Sequence, residues 1–159
     1  MRVWRLPDDI DTDQLAPGHA MKHGLDVIAR HCLEGVKPGF ARGVKPGDVI
    51  VAGANFGIGS SREQAASVLV HLGVAAVIAP SYAGLYFRNA FNVGLLLLTC
   101  KDAKRLADGE RIAVDARHAC VRRDNGETLA CEPIPDFLLD LVAAGGLLPQ
   151  LKKRLSEKR

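Results

Sequence analysis

Ser60, Ser61 and Arg62 stand together in the run Asn55-Phe-Gly-Ile-Gly-Ser-Ser-Arg-Glu-Gln64, directly after the apolar stretch Val49–Ala52. A strand that ends in glycines and gives way to a helix puts polar groups at its carboxyl end, where open α/β sheets hold their chemistry. Paired hydroxyls and a guanidinium at the positive end of a helix suit an anion. A serine oxygen that receives hydrogen bonds from such donors is stabilised as alkoxide and can act as a base. No histidine adjoins it, which disfavours a hydrolase-type nucleophile. The pattern predicts binding of a carboxylate substrate and removal of a proton from a neighbouring carbon. Of the acids in Asp8-Asp9-Ile-Asp11-Thr-Asp13, Asp13 is expected to face this site and orient Arg62.

Rival readings of the same residues are weaker. Gly57-Ile-Gly-Ser-Ser-Arg62 has the strand–turn–helix setting of a dinucleotide fingerprint, but Arg62 fills the third glycine slot. No Asp or Glu lies between Glu63 and Asp102 to hold a ribose, and the Gly-Lys-Ser/Thr ending of a P-loop is missing. The acidic run lacks the central glycine and closing glutamate of a calcium loop and reads as Asp and Thr side chains capping backbone. Ser60-x-x-Glu63 and Ser61-x-x-Gln64 both fit a capping box, so one serine is expected to cap the helix and the other to project. His19, His23 and His31 read as surface or packing residues.

The elements that position these groups follow in order. Arg2–Leu6 predicts a first strand, and His19–Glu34 a helix stopped by Gly35. Lys45-Pro-Gly-Asp48 is a turn launching the strand Val49–Ala52. Helix Ser60–Leu72, strand Val74–Ala79, a helix from Pro80 to Asn92 and strand Leu95–Thr99 complete a parallel β-α-β-α-β core. A strand at Arg111–Asp115 and a hairpin about Asn125-Gly126 come next; a two-residue type I′ turn there sets Cys120 opposite Cys131. Pro135 opens a helix Asp136–Ala144, ended by Gly145-Gly146 and followed by a basic helix.

With 159 residues the chain is expected to form one domain over residues 1–159, α/β in class. Its net charge of +3 arises largely from the tail, where Lys152, Lys153, Arg154, Lys158 and Arg159 crowd without interleaved aromatics. That favours a solvated helix end over a nucleic-acid surface. No secretory signal or membrane-length apolar segment is visible, so a cytoplasmic location and no membrane partner are expected. Cys32, Cys100, Cys120 and Cys131 show no C-x-x-C spacing, and no metal-binding set is read.

Several blocks together carry a family likeness. Asn55-Phe-Gly-Ile-Gly-Ser-Ser-Arg-Glu-Gln-Ala65 resembles the signature of the aconitase swivel domain, and in particular the separate small subunits of isopropylmalate dehydratases. Agreement extends to D9-IDTDQLAPG, V44-KPGDVIVAGANFG, P80-SYAGLYFRNAFNVGLL and E132-PIPDFLLDLVAAGGLLPQLKKRL, nearly the whole chain. The resemblance implies a swivelling β/β/α domain and a hydro-lyase acting on a malate-type hydroxy acid, most naturally isopropylmalate in leucine biosynthesis. It implies Ser60 as general base, with Ser61, Arg62 and Asp13 in substrate binding. It also implies a large partner subunit carrying a [4Fe-4S] cluster, with no cofactor in this chain. Gly84 stands where the family pattern has arginine, Pro17-Gly-His-Ala-Met21 departs from Pro-Gly/Ala-Arg-Tyr-Leu, and Gln64 replaces histidine. These losses of cationic groups keep homoaconitate, dimethylmalate and other substituted malates open, with Arg88 as a compensating candidate. A stand-alone anion- or nucleotide-binding module is the alternative from a different class.

Overall fold

The computed structural model describes residues 1–159. Four short strands, β1 (Val3–Arg5), β2 (Val49–Val51), β3 (Ala76–Ala79) and β4 (Leu96–Thr99), lie side by side in chain order and all parallel. β2, β3 and β4 are near-continuous runs of small, branched and aliphatic residues because both faces of the sheet are covered there. Ile50, Val77 and Leu97 join a core with the helices, whereas Val3, Val49, Val51, Ala76, Ile78 and Leu98 join a second core on the opposite face. That second core is closed by an antiparallel sheet of β5 (Ile112–Asp115), β6 (Cys120–Arg123) and β7 (Thr128–Ala130), which contributes Ile112, Val121 and Leu129. The result is two sheets and one helical layer, the β/β/α arrangement that the family likeness implied.

The long β1–β2 connection contains α1 (Thr12–Leu15), a 3₁₀ segment Gly18–His23, α2 (Leu25–His31) and α3 (Phe40–Gly43). The helix expected across His19–Glu34 is therefore interrupted. Gly24 takes φ +87°, outside the helical region, and separates the 3₁₀ segment from α2. α4 (Gln64–His71) and α5 (Gly84–Asn92) form the next two crossovers, and α6 (Asp136–Ala144) and α7 (Leu147–Glu157) close the chain. α5 starts later than expected, since Pro80–Ala83 stays extended: Phe56 and Tyr82 form a bridge, with Phe56 N–H donating to Ser81 O and Ala83 N–H to Phe56 O. No helix is long and apolar enough to cross a membrane.

The hairpin differs from expectation by one residue. Cys120 pairs with Ala130 and Arg122 with Thr128, so the loop has three residues, Asp124–Gly126. A type I′ turn needs positive φ at both Asn125 and Gly126, but Gly126 alone of the pair takes it, at +87°. Arg123 holds the register from outside the turn, with Nε 2.6 Å from Glu110 Oε1 and Nη1 2.8 Å from Glu127 Oε2. Cys131 accordingly does not face Cys120. The neighbouring Cys100 thiol, together with burial, pushes the Cys131 thiol above its usual range.

Asp48 fastens the start of β2. Its Oδ2 accepts from Trp4 Nε1 at 2.9 Å, Lys45 N–H at 2.9 Å and Arg2 Nη2 at 3.2 Å. Burial pushes this carboxyl up, but the combined Trp4, Lys45 and Arg2 donors outweigh it and hold it below its ordinary value. A depressed carboxyl stabilises the fold above its unfolded pKa of about 4, and that contribution is lost as pH falls through the folded value. Asp48→Asn is expected to cost about 2–3 kcal/mol near neutral pH, since a neutral carboxamide oxygen in the place of Oδ2 bonds all three donors more weakly and leaves the Arg2 charge unpaired. Thermal melts of both proteins from pH 7 to pH 2 check this: the gap in Tm should close on the acid side of pH 4.

Candidate active site

The site grows from the carboxyl ends of β1, β2 and β3. Past Val51 the segment Phe56–Ser60 turns through its two glycines and is bonded on both flanks. On one flank Gly57 N–H donates to Ile10 O at 2.7 Å and Thr12 N–H to Ile58 O at 2.8 Å. On the other, Asn55 N–H donates to Ser81 Oγ at 2.9 Å, besides the Phe56–Tyr82 bridge. Both glycines are needed for this close approach. A Cβ on Gly57 would lie 2.1 Å from Tyr86 Cγ and one on Gly59 2.9 Å from Thr12 Oγ1, and both residues have positive φ.

Sequence spacing placed Ser60 at a helix start, and this is corrected. α4 begins at Gln64 with Glu63 as N-cap and no side-chain cap bond, so neither serine caps. Ser60 is engaged elsewhere. Its Oγ accepts from Arg62 Nε at 2.8 Å and lies 3.3 Å from Thr12 Oγ1, while its N–H donates to Thr12 Oγ1 at 3.0 Å. Either hydroxyl can donate in this pair, but once Ser60 Oγ is deprotonated the Thr12 proton is the one directed at it. The Ser60 oxygen thus receives two donors, one of them cationic, which is the environment that favours an alkoxide.

Arg62 is held from three sides. Besides Ser60, its Nη1 donates to Ala16 O at 2.8 Å and to Asp13 Oδ1 at 3.3 Å. The structure therefore brings Asp13 to Arg62, and the same carboxylate oxygen accepts Gly18 N–H at 2.9 Å. Arg62 Nη2 has no acceptor in the chain. Ser61 is exposed with its hydroxyl unpaired, and its carbonyl accepts from Asn89 Nδ2 of α5 at 2.9 Å. The backbone N–H groups of Ser61, Arg62, Glu63 and Gln64 also have no acceptor within the chain. Side chain and backbone donors thus gather on one exposed surface at the amino end of α4.

Asp8 and Asp11 cap backbone, and Asp9 accepts from the Asn55 side chain. Asp8 Oδ1 accepts from Ala54 N–H and Asp11 Oδ1 from Gln14 N–H, the latter in a capping box. Thr12 and Asn89 were not singled out from sequence as site residues. Only the side-by-side placement of residues 10–12 with 57–60, and of α5 with Ser61, reveals them.

Residues 41–103, which include Ser60, Ser61 and Arg62, match the family model of the aconitase C-terminal domain. A 3-isopropylmalate dehydratase small subunit from Methanosarcina mazei is 41% identical over 99% of this chain and 98% of its own. The chain belongs to the small subunits of the aconitase-family dehydratases. The methanogen homoaconitase small subunit of Methanothermobacter thermautotrophicus is 43% identical over 97% of this chain and 91% of its own. The crystal structure of 3-isopropylmalate dehydratase from Methanocaldococcus jannaschii superimposes with a TM-score of 0.91 at 39% identity, covering 99% and 97% of the two chains. The fold is that of this family, the enzyme class is hydro-lyase, and a large subunit is its partner.

Gly84, where the family likeness led arginine to be expected, opens α5. Its φ lies outside the left-handed region and an added Cβ would meet nothing within 4 Å. Geometry does not demand glycine there, so the missing side chain simply leaves the surface before α5 open. Arg88, one turn further along α5, is exposed and forms no ion pair.

Proposed function

We propose that this subunit supplies the base and part of the carboxylate site of a hydro-lyase acting on isopropylmalate. The observation that carries the reading is the Ser60 oxygen, held between Arg62 Nε–H and the Thr12 hydroxyl with no histidine involved. Proton abstraction from carbon needs a strong base, and a serine reaches that strength only where its anion is stabilised in place. Ser60 takes the proton from the carbon beside the substrate carboxylate and returns it in the hydration direction.

Arg62 is the residue that the family likeness assigns, with Ser61 and Asp13, to substrate binding. With Nε and Nη1 engaged, Nη2 is the group that reaches substrate, so the clamp is completed by the Ser61 hydroxyl and the free N–H groups that follow it. Asp13 keeps the guanidinium aligned. The chain's cysteines do not fit an iron–sulfur cluster: Cys32 lies in the helical core and Cys100 in the inter-sheet core. The Lewis acid that a departing hydroxide requires therefore belongs with the large subunit, where the family likeness puts a [4Fe-4S] cluster.

A related substrate is the second reading, favoured by the open surface at Gly84 and by His19 in a slot where the family pattern has arginine. The test is reconstitution with the large subunit and a panel of isopropylmalate, homocitrate and dimethylmalate, following the unsaturated product by absorbance. The small subunit alone should give no turnover, and the complex should show its highest kcat/KM on isopropylmalate. A better rate on another malate selects the second reading. Activity on none, or turnover without the partner, overturns the assignment.

A further inference from the structure

His19 lies in the 3₁₀ segment, while His31 and Glu34 stand three residues apart at the end of α2, yet the donor atoms of all three gather. His31 Nδ1 is 2.7 Å from Glu34 Oε2, His19 Nε2 is 3.6 Å from Glu34 Oε1, and the two imidazoles meet edge to face with centroids 4.8 Å apart. One donor atom from each residue falls within 4.8 Å of the others. Zinc bonds of about 2.0–2.2 Å to nitrogen and oxygen put tetrahedral neighbours roughly 3.3 Å apart, inside the range these atoms already span.

The backbone beneath them is fixed by burial. His31 ends α2, and the fully buried Cys32 and Leu33 follow it. Leu33 has φ +58°, rare for a branched side chain, with its N–H donated to Gln14 O at 2.8 Å; this turn brings Glu34 back over His31. His19 is seated between Gly18, whose N–H is held by Asp13, and the buried Ala20. The side chains therefore need only rotamer adjustments. Two imidazoles and a carboxylate with an outward-facing fourth position form a borderline-soft set that suits zinc.

We propose that His19, His31 and Glu34 form a Zn²⁺ site that ties the first loop to the end of α2. Two other histidine–carboxylate pairs serve as internal comparisons. His71 Nε2 with Asp26 Oδ1 and His118 Nδ1 with Asp115 Oδ2, each at 2.9 Å, have no third donor beside them. The proposal does not depend on the catalytic reading.

The experiment is calorimetric titration of the chelator-stripped full chain with zinc sulfate, alongside His19→Ala, Glu34→Gln and His71→Ala, with thermal melts as the second measurement. One zinc per chain is expected in the parent and in His71→Ala, with Tm rising on addition of metal. His19→Ala and Glu34→Gln should each weaken binding by at least the roughly 10- to 100-fold seen when a metal site loses an outer partner, and lose the Tm rise. Cobalt in place of zinc should give the visible bands of a low-symmetry site in the parent and in His71→Ala, and not in His19→Ala or Glu34→Gln. Undiminished binding in His19→Ala, loss in His71→Ala, or no saturable binding in the parent overturns the proposal.

Discussion

Ser60→Ala in the reconstituted complex is expected to lower kcat about 10³-fold or more while KM stays within a few-fold. General bases contribute roughly 10²–10⁴ to proton transfers, and this oxygen has no neighbouring histidine or carboxylate hydrogen-bonded to it that could replace it. A 10³-fold loss is about 4 kcal/mol of transition-state stabilisation, more than any substrate contact of Ser60 alone would account for. KM should hold because the groups assigned to the carboxylate, Arg62 Nη2 and the Ser61–Gln64 amides, lie outside the deleted hydroxyl. Fold and assembly should also persist, since Ser60 is exposed and its backbone bond to Thr12 remains. Steady-state kinetics with each substrate, after confirming co-elution with the large subunit, measure this. Full turnover in the Ser60→Ala complex removes the proposed base.

What the chain disclosed before folding depended on how local each cause was. The strands around Val49–Val51, Ala76–Ala79 and Leu96–Thr99 were legible because burial on both faces imposes its composition residue by residue. The helix end at Gly145 was legible for the same reason, since a left-handed cap selects glycine on the spot. The hairpin register was not. Asn125-Gly126 permits two turns, and Arg123, caught between Glu110 and Glu127, favours the one that the dipeptide does not. The start of α4 failed likewise: Ser60 satisfies a capping pattern but is bonded to Thr12, 48 residues earlier.

The site divides along the same line. Ser60, Ser61 and Arg62 adjoin in sequence, so their chemistry could be read directly, and Asp13 could be matched to Arg62 by charge. Thr12 looked like an ordinary capping residue; its role exists only because residues 10–12 run beside 57–60. His19 and His31 carried no periodic signal together, because Gly24 breaks the helix between them. Their meeting point is Glu34, turned back by Leu33, a residue whose type gives no hint of its left-handed backbone.

Arg62→Lys retains the positive charge, yet it should lower kcat/KM by about 10²–10³, with kcat and KM both affected. Lysine is a point charge on a flexible stem and cannot reproduce a planar fork that binds Ser60 Oγ, Ala16 O and Asp13 Oδ1 together while keeping Nη2 for substrate. Losing the Nε–H bond destabilises the Ser60 anion, so the rate should need a higher pH than in the parent complex. Losing Nη2 weakens carboxylate binding, so KM should rise. The double variant Ser60→Ala/Arg62→Lys separates these two roles. If Arg62 acts partly through Ser60, the double loss in kcat falls short of the sum of the single losses, because the shared part is removed only once. If Arg62 only clamps the carboxylate, Arg62→Lys raises KM at unchanged kcat and the two losses add. That second outcome would retain the substrate contact but leave Ser60 without its charged stabiliser, and with Thr12 alone the alkoxide is no longer adequately supported.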